Sequence, residues 1–331
     1  MSVNQEKELE AIFTKEHTEY FKNNKHEITH ELLETLREYG NPGKLKCLEI
    51  LELEKDESGY YLDAFGNQIS YKKNPSLKGI NVKLPITQIH IDEIQRCSED
   101  IYYFLQNYCR IVTQKGVTFP DLREYQVDFI RTILPDEHES IVALMPRQAG
   151  KSVTVSVYFC WLALFEKDVN IGVAAQNTKL SKEVLNKIKE IFLNLPNWIT
   201  PGVKSWNKLS VSFENGINIL SDYANSSSFR GFTMSYTLTD EAAYITGSDN
   251  GTSRFEAYLD AMLPSQSSLS KKKNIFISTA NGMNSFERLY SGAKHDGIQE
   301  AEDKFSPSDK ILLNSGEIIT IEEFYRRKGL K

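Results

Sequence analysis

The stretch MPRQAGKS, residues 145 to 152, ends in Gly150-Lys151-Ser152, the last three fixed positions of the phosphate-binding pattern G-x-x-x-x-G-K-[ST]. Met145 stands where that pattern begins with glycine. Set between a strand and a helix, such a loop converges backbone N–H groups and a helix N-terminus on phosphate. Lys151 would then reach the β and γ phosphates, and Ser152 would ligate Mg²⁺. Pro146, Arg147, Gln148 and Ala149 would complete the cradle. A chance Gly-Lys-Ser at a helix start is the competing reading.

Further along, LTDEAAYI sets Asp240 and Glu241 side by side after an apolar-to-polar run that reads as a strand. Two adjacent acids at a strand end can divide labour: Asp240 would hold Mg²⁺ through its water shell, and Glu241 would orient and deprotonate an attacking water. The alternative is an acidic helix N-terminus, favoured by the helix dipole. A third polar strand end follows at Ser278-Thr279-Ala280-Asn281-Gly282. Three such ends in this order argue against a chance loop.

The elements that must position these groups alternate regularly. IVALM (141–145) and NIGVAAQ (170–176) read as strands, and VTVSVYFCWLALF (153–165) as a buried helix. Ser181 is the expected N-cap of a helix whose apolar face is Val184, Leu185, Ile188, Ile191, Phe192 and Leu195. LSVSFENGINIL turns about Asn215-Gly216 as a hairpin, and MSYTLT and NIFIS read as further strands. MSYTLT is more polar than a buried strand normally is, so its burial is in question. Helical spacing is also expected over residues 92–112 and in DLREYQVDFIRTIL. The fold class is therefore α/β, a mostly parallel sheet flanked by helices with chemistry at the carboxyl ends of the strands, after an N-terminal lead segment. The expected division is a lead segment at 1–90, the phosphate-loop domain at 91–300 and a tail at 301–331.

The chain has 331 residues, 40% hydrophobic and 25% charged, enough for a full core. A net charge of -6 confines any nucleic-acid contact to a local patch. No apolar run approaches the roughly eighteen residues of a membrane span, and no signal peptide opens the chain, so a cytosolic protein is expected. Cys47, Cys97, Cys109 and Cys160 lack paired spacing, and disulfides are not expected.

REYQVDFI, MPRQAGKS, IGVAAQNTKLSKEVLNKIKEIFLNLPNWI, FRGFTMSYTLTDEAAYI and ISTANGMNSFERLY together resemble the ATPase domain of the large terminase subunit of tailed bacteriophages, the T-even type in particular. The resemblance runs from about residue 90 to 295, and that family's phosphate loop also lacks the first glycine and carries Arg-Gln before its Gly-Lys. It implies a P-loop NTPase of the RecA/ASCE type that hydrolyses Mg²⁺-ATP to package double-stranded DNA. The implied setting is the host cell cytoplasm, as a ring of identical subunits on the portal of a prohead, together with a small terminase subunit. It further implies that Tyr125 and Gln126 contact the adenine end of ATP and that Arg147 senses or stabilises the γ-phosphate, against a salt-bridge role within the loop. Ser278, Thr279, Ala280 and Asn281 fall in the segment that couples hydrolysis to movement, although its threonine-rich form is only partly kept. Arg230 matches an arginine that contacts phosphate, in trans from a neighbour, or merely anchors its loop.

A superfamily 2 helicase-like ATPase is the nearest enzymatic rival, and a nonhydrolytic fragment that docks partners is the rival of another class. The family's nuclease domain is not expected in this chain, which ends too early for it. The closing stretch FSPSDKILLNSGEIITIEEFYRRKGLK is similar to the opening block of an intein, with Ser306 at the nucleophile's place, or else caps a truncated domain. His26-Glu27-Ile28-Thr29-His30 fits H-E-x-x-H but sits in a charged helix with no third ligand, and a solvated face is the better reading. Lys271-Lys272-Lys273 reads as a solvated turn, with DNA phosphate contact as the lesser alternative.

Overall fold

The computed structural model describes residues 54–291 apart from 64, 85, 87, 136–138, 250 and 283, together with the strands at 310–312 and 318–320. The H-E-x-x-H run, Cys47 and Ser306 lie outside the described residues.

A nine-stranded sheet organises the molecule. In chain order its strands are β1 (Ser140–Leu144), β2 (Asn170–Ala175), β3 (Val203–Trp206), β4 (Ser210–Phe213), β5 (Asn218–Tyr223), β6 (Tyr236–Asp240), β7 (Lys273–Ser278), β8 (Lys310–Leu312) and β9 (Ile318–Thr320). Across the sheet they run β9-β8-β1-β7-β6-β2-β5-β4-β3. Strands β8, β1, β7, β6, β2 and β5 pair in parallel, and β3, β4 and β9 add antiparallel edges. Strand β7 lies between the loop-bearing β1 and the acid-bearing β6, which is the RecA/ASCE-like P-loop arrangement. Registers align the ends: Ser278 pairs with Leu144 and Asp240 with Ile277 and Ala175, so three polar termini open on one rim.

Helices cover the sheet: α1 (Gln88–Glu99), α2 (Ile101–Asn107), α3 (Glu124–Ile133), α4 (Lys151–Phe165), α5 (Thr178–Asn194), α6 (Arg254–Ser265) and α7 (Ser285–Ser291). The helical run expected at 92–112 is two helices, not one. Asp100 is extended at φ -133° and its carboxylate accepts the Tyr102 N–H at 2.8 Å, so it caps a new helix; residues Ile111–Thr113 then form a short strand. Helix α5 is capped by Asn177, whose side chain accepts the Leu180 N–H at 3.1 Å. Ser181, the expected cap, is instead buried inside that helix and bonded to Ser221 at 3.0 Å. The hairpin at Asn215-Gly216 is as expected, with Gly216 at φ 84°.

The doubt about β6 is resolved by cross-strand chemistry. Thr237 and Thr239 are fully buried, yet the Thr237 hydroxyl donates to the Asn274 side chain at 2.6 Å and Thr239 meets the Tyr258 hydroxyl at 3.2 Å. Satisfied hydroxyls remove most of the desolvation penalty that a polar strand would otherwise carry. The main core joins both faces of α4 to the sheet through Tyr158, Phe159, Ile141, Val173 and Leu238, and Leu77 of the leading segment packs into it. Cys97, Cys109 and Cys160 are free and buried, and burial pushes each thiol up. Among the described residues no helix is long and apolar enough to cross a membrane.

Candidate active site

Strand β1 leads into the loop at 145–150, and α4 begins at Lys151. The Met145 N–H donates to the Ser278 carbonyl at 2.9 Å and its side chain is buried, so this position continues the sheet and needs no glycine. The left-handed turns fall later, at Gln148 (φ 60°) and Gly150 (φ 76°). A Cβ on Gly150 would also come within 2.4 Å of Gln126 Nε2, which accounts for glycine there.

Tyr125 and Gln126 brace the loop from α3. Both donate to the Ala149 carbonyl, at 3.0 and 3.3 Å, and Gln126 also reaches Thr154 Oγ1 at 3.3 Å. The other end of the same amide accepts the Arg123 N–H at 3.0 Å and closes the first turn of α3. Gln126 thus fixes loop and helix together. Pro146, Arg147 and Gln148 are exposed at the rim, whereas Ala149 is buried.

The acids meet the loop directly. Ser152 Oγ donates to Asp240, lying 2.9 and 3.1 Å from its two oxygens. Lys151 Nζ pairs with Glu241 Oε1 at 2.9 Å, with Lys151 only 5% exposed. Glu241 has left-handed backbone (φ 50°, ψ 46°), a strained turn that aims its carboxylate back across the strand ends. Its second oxygen faces the end of β7, 3.4 Å from the Thr279 N–H and 3.5 Å from the hydroxyls of Ser278 and Thr279. Burial pushes the Asp240 carboxyl above the ordinary carboxylate range, the Ser152 bond opposes this, and the neighbouring Glu241 adds to it.

The Asp240 carboxylate beside the Ser152 hydroxyl fits Mg²⁺, a hard cation that keeps several waters and takes one or two protein ligands alongside substrate phosphates. Among the described residues no cluster of three or more His, Cys, Asp or Glu could hold a metal without that help.

Sequence reading missed Tyr244. Its hydroxyl accepts from Arg147 Nη2 at 2.9 Å and from Thr279 Oγ1 at 3.2 Å, and the Arg147 guanidinium lies 5.9 Å from its ring centre. Arg147 is held further toward its charged form by that bond, and the Tyr244 phenol is lowered by Thr279 and then by Arg147. The only sequence signal was its place one short turn after Glu241, where Ala242–Tyr244 form a 3₁₀ turn. Ser278 Oγ accepts the Ala243 N–H at 3.1 Å and Asn281 Nδ2 donates to the Ala243 carbonyl at 3.0 Å, so the β7 end is tied to the same turn. Ala280 is exposed beside them.

Arg230 is not part of this cluster. It is exposed on the loop after β5, and among the described residues no hydrogen bond or ion pair joins it to the loop at 145–152. The lysine triplet is no open phosphate patch. Lys273 is 1% exposed and donates to the Ile133 and Pro135 carbonyls at the end of α3, Lys272 pairs with Glu139 at 3.2 Å and Lys271 with Glu166 at 3.1 Å. Lys273 is thus withdrawn into the base of the fold, while Lys271 stays at the surface.

A family model described as the N-terminal region of the T4likevirus-type terminase large subunit matches residues 142–305. Among solved structures, the large terminase of bacteriophage HK97 is 17% identical, over 62% of this chain and 42% of that one, with a TM-score of 0.48. The large terminase ATPase domain of Thermus phage P74-26 is 18% identical over 57% of this chain and 79% of that one, with a TM-score of 0.43. The chain spans less than half the length of the HK97 protein.

Proposed function

We infer from the match of residues 142–305 to the N-terminal region of the T4-like terminase large subunit that the chain is an ATP-hydrolysing motor domain of that family, for packaging double-stranded viral DNA. The observation that carries the chemistry is the convergence of Lys151, Ser152, Asp240 and Glu241, all within hydrogen-bond reach of a partner across the rim of the sheet.

In this reading the loop amides and Lys151 neutralise the β and γ phosphates, and Arg147 spreads positive charge over the γ-phosphoryl oxygens. An arginine in that role contributes about 10³ to 10⁵ in rate. Ser152 and Asp240 hold Mg²⁺, which when bound offsets charge on the phosphoryl oxygens. Glu241 orients and deprotonates the attacking water. Its pairing with Lys151 describes the site before phosphate claims the lysine and leaves the carboxylate free to act as base. Tyr125 and Gln126, which fix the loop from α3, are placed to register whether the adenine end is filled. The Ser278–Asn281 segment carries the result outward through its bonds to the turn after Glu241. Double-stranded DNA, a portal, a small terminase subunit and sister subunits are the partners of this reading, in the cytoplasm of an infected host, with Arg230 on the exposed surface open to a neighbour.

Steady-state hydrolysis by the purified chain tests the proposal. Glu241→Gln should lower turnover by about 10² to 10⁴ while nucleotide still binds, as loss of a general base requires. Turnover equal to that of the unsubstituted chain would refute the assignment, and binding without turnover in either would leave a docking module.

A further inference from the structure

We propose that Tyr244 is a positioning residue that holds Arg147 back from the phosphate site until a γ-phosphate arrives, and whose release is relayed through Thr279 to Glu241. The proposal rests on the nucleotide reading above and adds to it the route by which the site senses its third phosphate.

The argument is one of hydrogen-bond capacity. A threonine hydroxyl has one proton to give. Thr279 Oγ1 has two acceptors in range, the Tyr244 oxygen at 3.2 Å and Glu241 Oε2 at 3.5 Å. While Arg147 donates to the phenol at 2.9 Å, that oxygen acts as acceptor, and the shorter contact draws the Thr279 proton toward it. Glu241 Oε2 then keeps the Thr279 N–H at 3.4 Å and the Ser278 hydroxyl at 3.5 Å but not the Thr279 hydroxyl proton. Once Arg147 turns to a phosphate, the phenol is free to donate its own proton to Thr279 Oγ1. The threonine proton then passes to hydrogen-bond Glu241, and no bond other than hydrogen bonds is made or broken.

The placement suits a latch. The Tyr244 N–H donates to the Glu241 carbonyl at 2.9 Å, so the ring rides on the same short turn as the carboxylate. Arg147 is exposed on the loop, and the ring and hydroxyl of Tyr244 give it a seat across the rim. The lowered Tyr244 phenol agrees with two donors converging on it.

The test is a binding measurement on the full chain with Mg²⁺ and either ADP or a nonhydrolysable ATP analogue. Tyr244→Phe removes the seat but keeps the ring, so the analogue should bind about threefold to tenfold more tightly, the range of one charge-assisted hydrogen bond at an exposed site. ADP affinity should stay within about twofold, and kcat should stay within about threefold of the parent, because without the phenol the Thr279 hydroxyl already has Glu241 Oε2 as its acceptor. In an Arg147→Met background the same substitution should leave analogue affinity unchanged, since the latch has lost its other half. Equal tightening for ADP and the analogue, an effect that persists without Arg147, or no change at all would overturn the latch and leave the nucleotide site standing. Failure of the unsubstituted chain to bind any nucleotide would overturn both.

Discussion

Replacing Gly150 by alanine tests whether the loop is built as described. The residue sits at φ 76°, and its new Cβ would stand 2.4 Å from Gln126 Nε2. Left-handed backbone costs an L-residue roughly 1–2 kcal/mol. The steric conflict adds to it by driving the Gln126 amide off Ala149 and Thr154, both at 3.3 Å, and by loosening its bond to the Arg123 N–H at 3.0 Å. Weak bonds of this kind contribute about 0.5–1.5 kcal/mol apiece, so with the Ala149 and Thr154 bonds lost the full expected loss is about 2–5 kcal/mol. The midpoint of thermal unfolding should fall by roughly 4 to 20 °C in Gly150→Ala. The decisive comparison uses Gln126→Ala as background, where the clash no longer exists and only the backbone penalty of roughly 1–2 kcal/mol should remain. Equal losses in the two backgrounds would refute the claim that Gln126 is what the missing side chain makes room for.

Other outcomes follow from single contacts. Burial raises the folded-state pKa of Asp240 above its ordinary value, so the folded chain binds the extra proton and stability falls as pH rises from the ordinary carboxylate value toward the raised one. Asp240→Asn should therefore melt higher than the parent at pH 8, lose that advantage as pH drops toward 4, and bind Mg²⁺-nucleotide poorly; a lower melting point at pH 8 would contradict it. Lys273→Met should destabilise by about 1–3 kcal/mol in denaturant titration because two buried carbonyls lose their donor, while Lys271→Ala stays within about 0.5 kcal/mol. Thr237→Val should cost about 0.5–1.5 kcal/mol by the same measurement, since the Asn274 amide oxygen loses one of its two donors and keeps Gln266, which shows how far β6 tolerates its polarity through that bond.

The alternation of strands and helices was legible because buried parallel strands carry continuous apolar runs and their covering helices are long. IVAL at β1 and the thirteen-residue apolar run within α4 need no distant partner to be recognised. Strand β6 was harder for a definite reason. Its threonines are acceptable only because Asn274 and Tyr258, remote in sequence, supply partners. The break at Asp100 and the cap at Asn177 are local decisions between near-equal alternatives, since Asn, Asp and Ser cap helices about equally well. In the lysine triplet Lys271 is exposed as a solvated turn requires, and only Lys273 departs from that reading, because Ile133 and Pro135 present carbonyls to it.

The site divides along the same line. Lys151, Ser152, Asp240 and Glu241 were readable because each belongs to a short run whose chemistry demands its spacing, and the structure brings the two runs together. Tyr244 was not, because a tyrosine after two alanines has no chemical signature until Arg147 and Thr279 meet its hydroxyl. Nor could Gln126 be seen to fix Gly150, since that requirement exists only where α3 packs against the loop. Motif residues are therefore visible through the reaction they serve, and the groups that hold them are visible only through the fold. The glycine absent at Met145 belongs with the second kind: the position looks deficient against a pattern, but in the sheet its N–H continues the pairing with Ser278 and its side chain fills the core. A glycine placed there would be expected to empty that core volume without adding any freedom the turn uses, because the left-handed residues are Gln148 and Gly150.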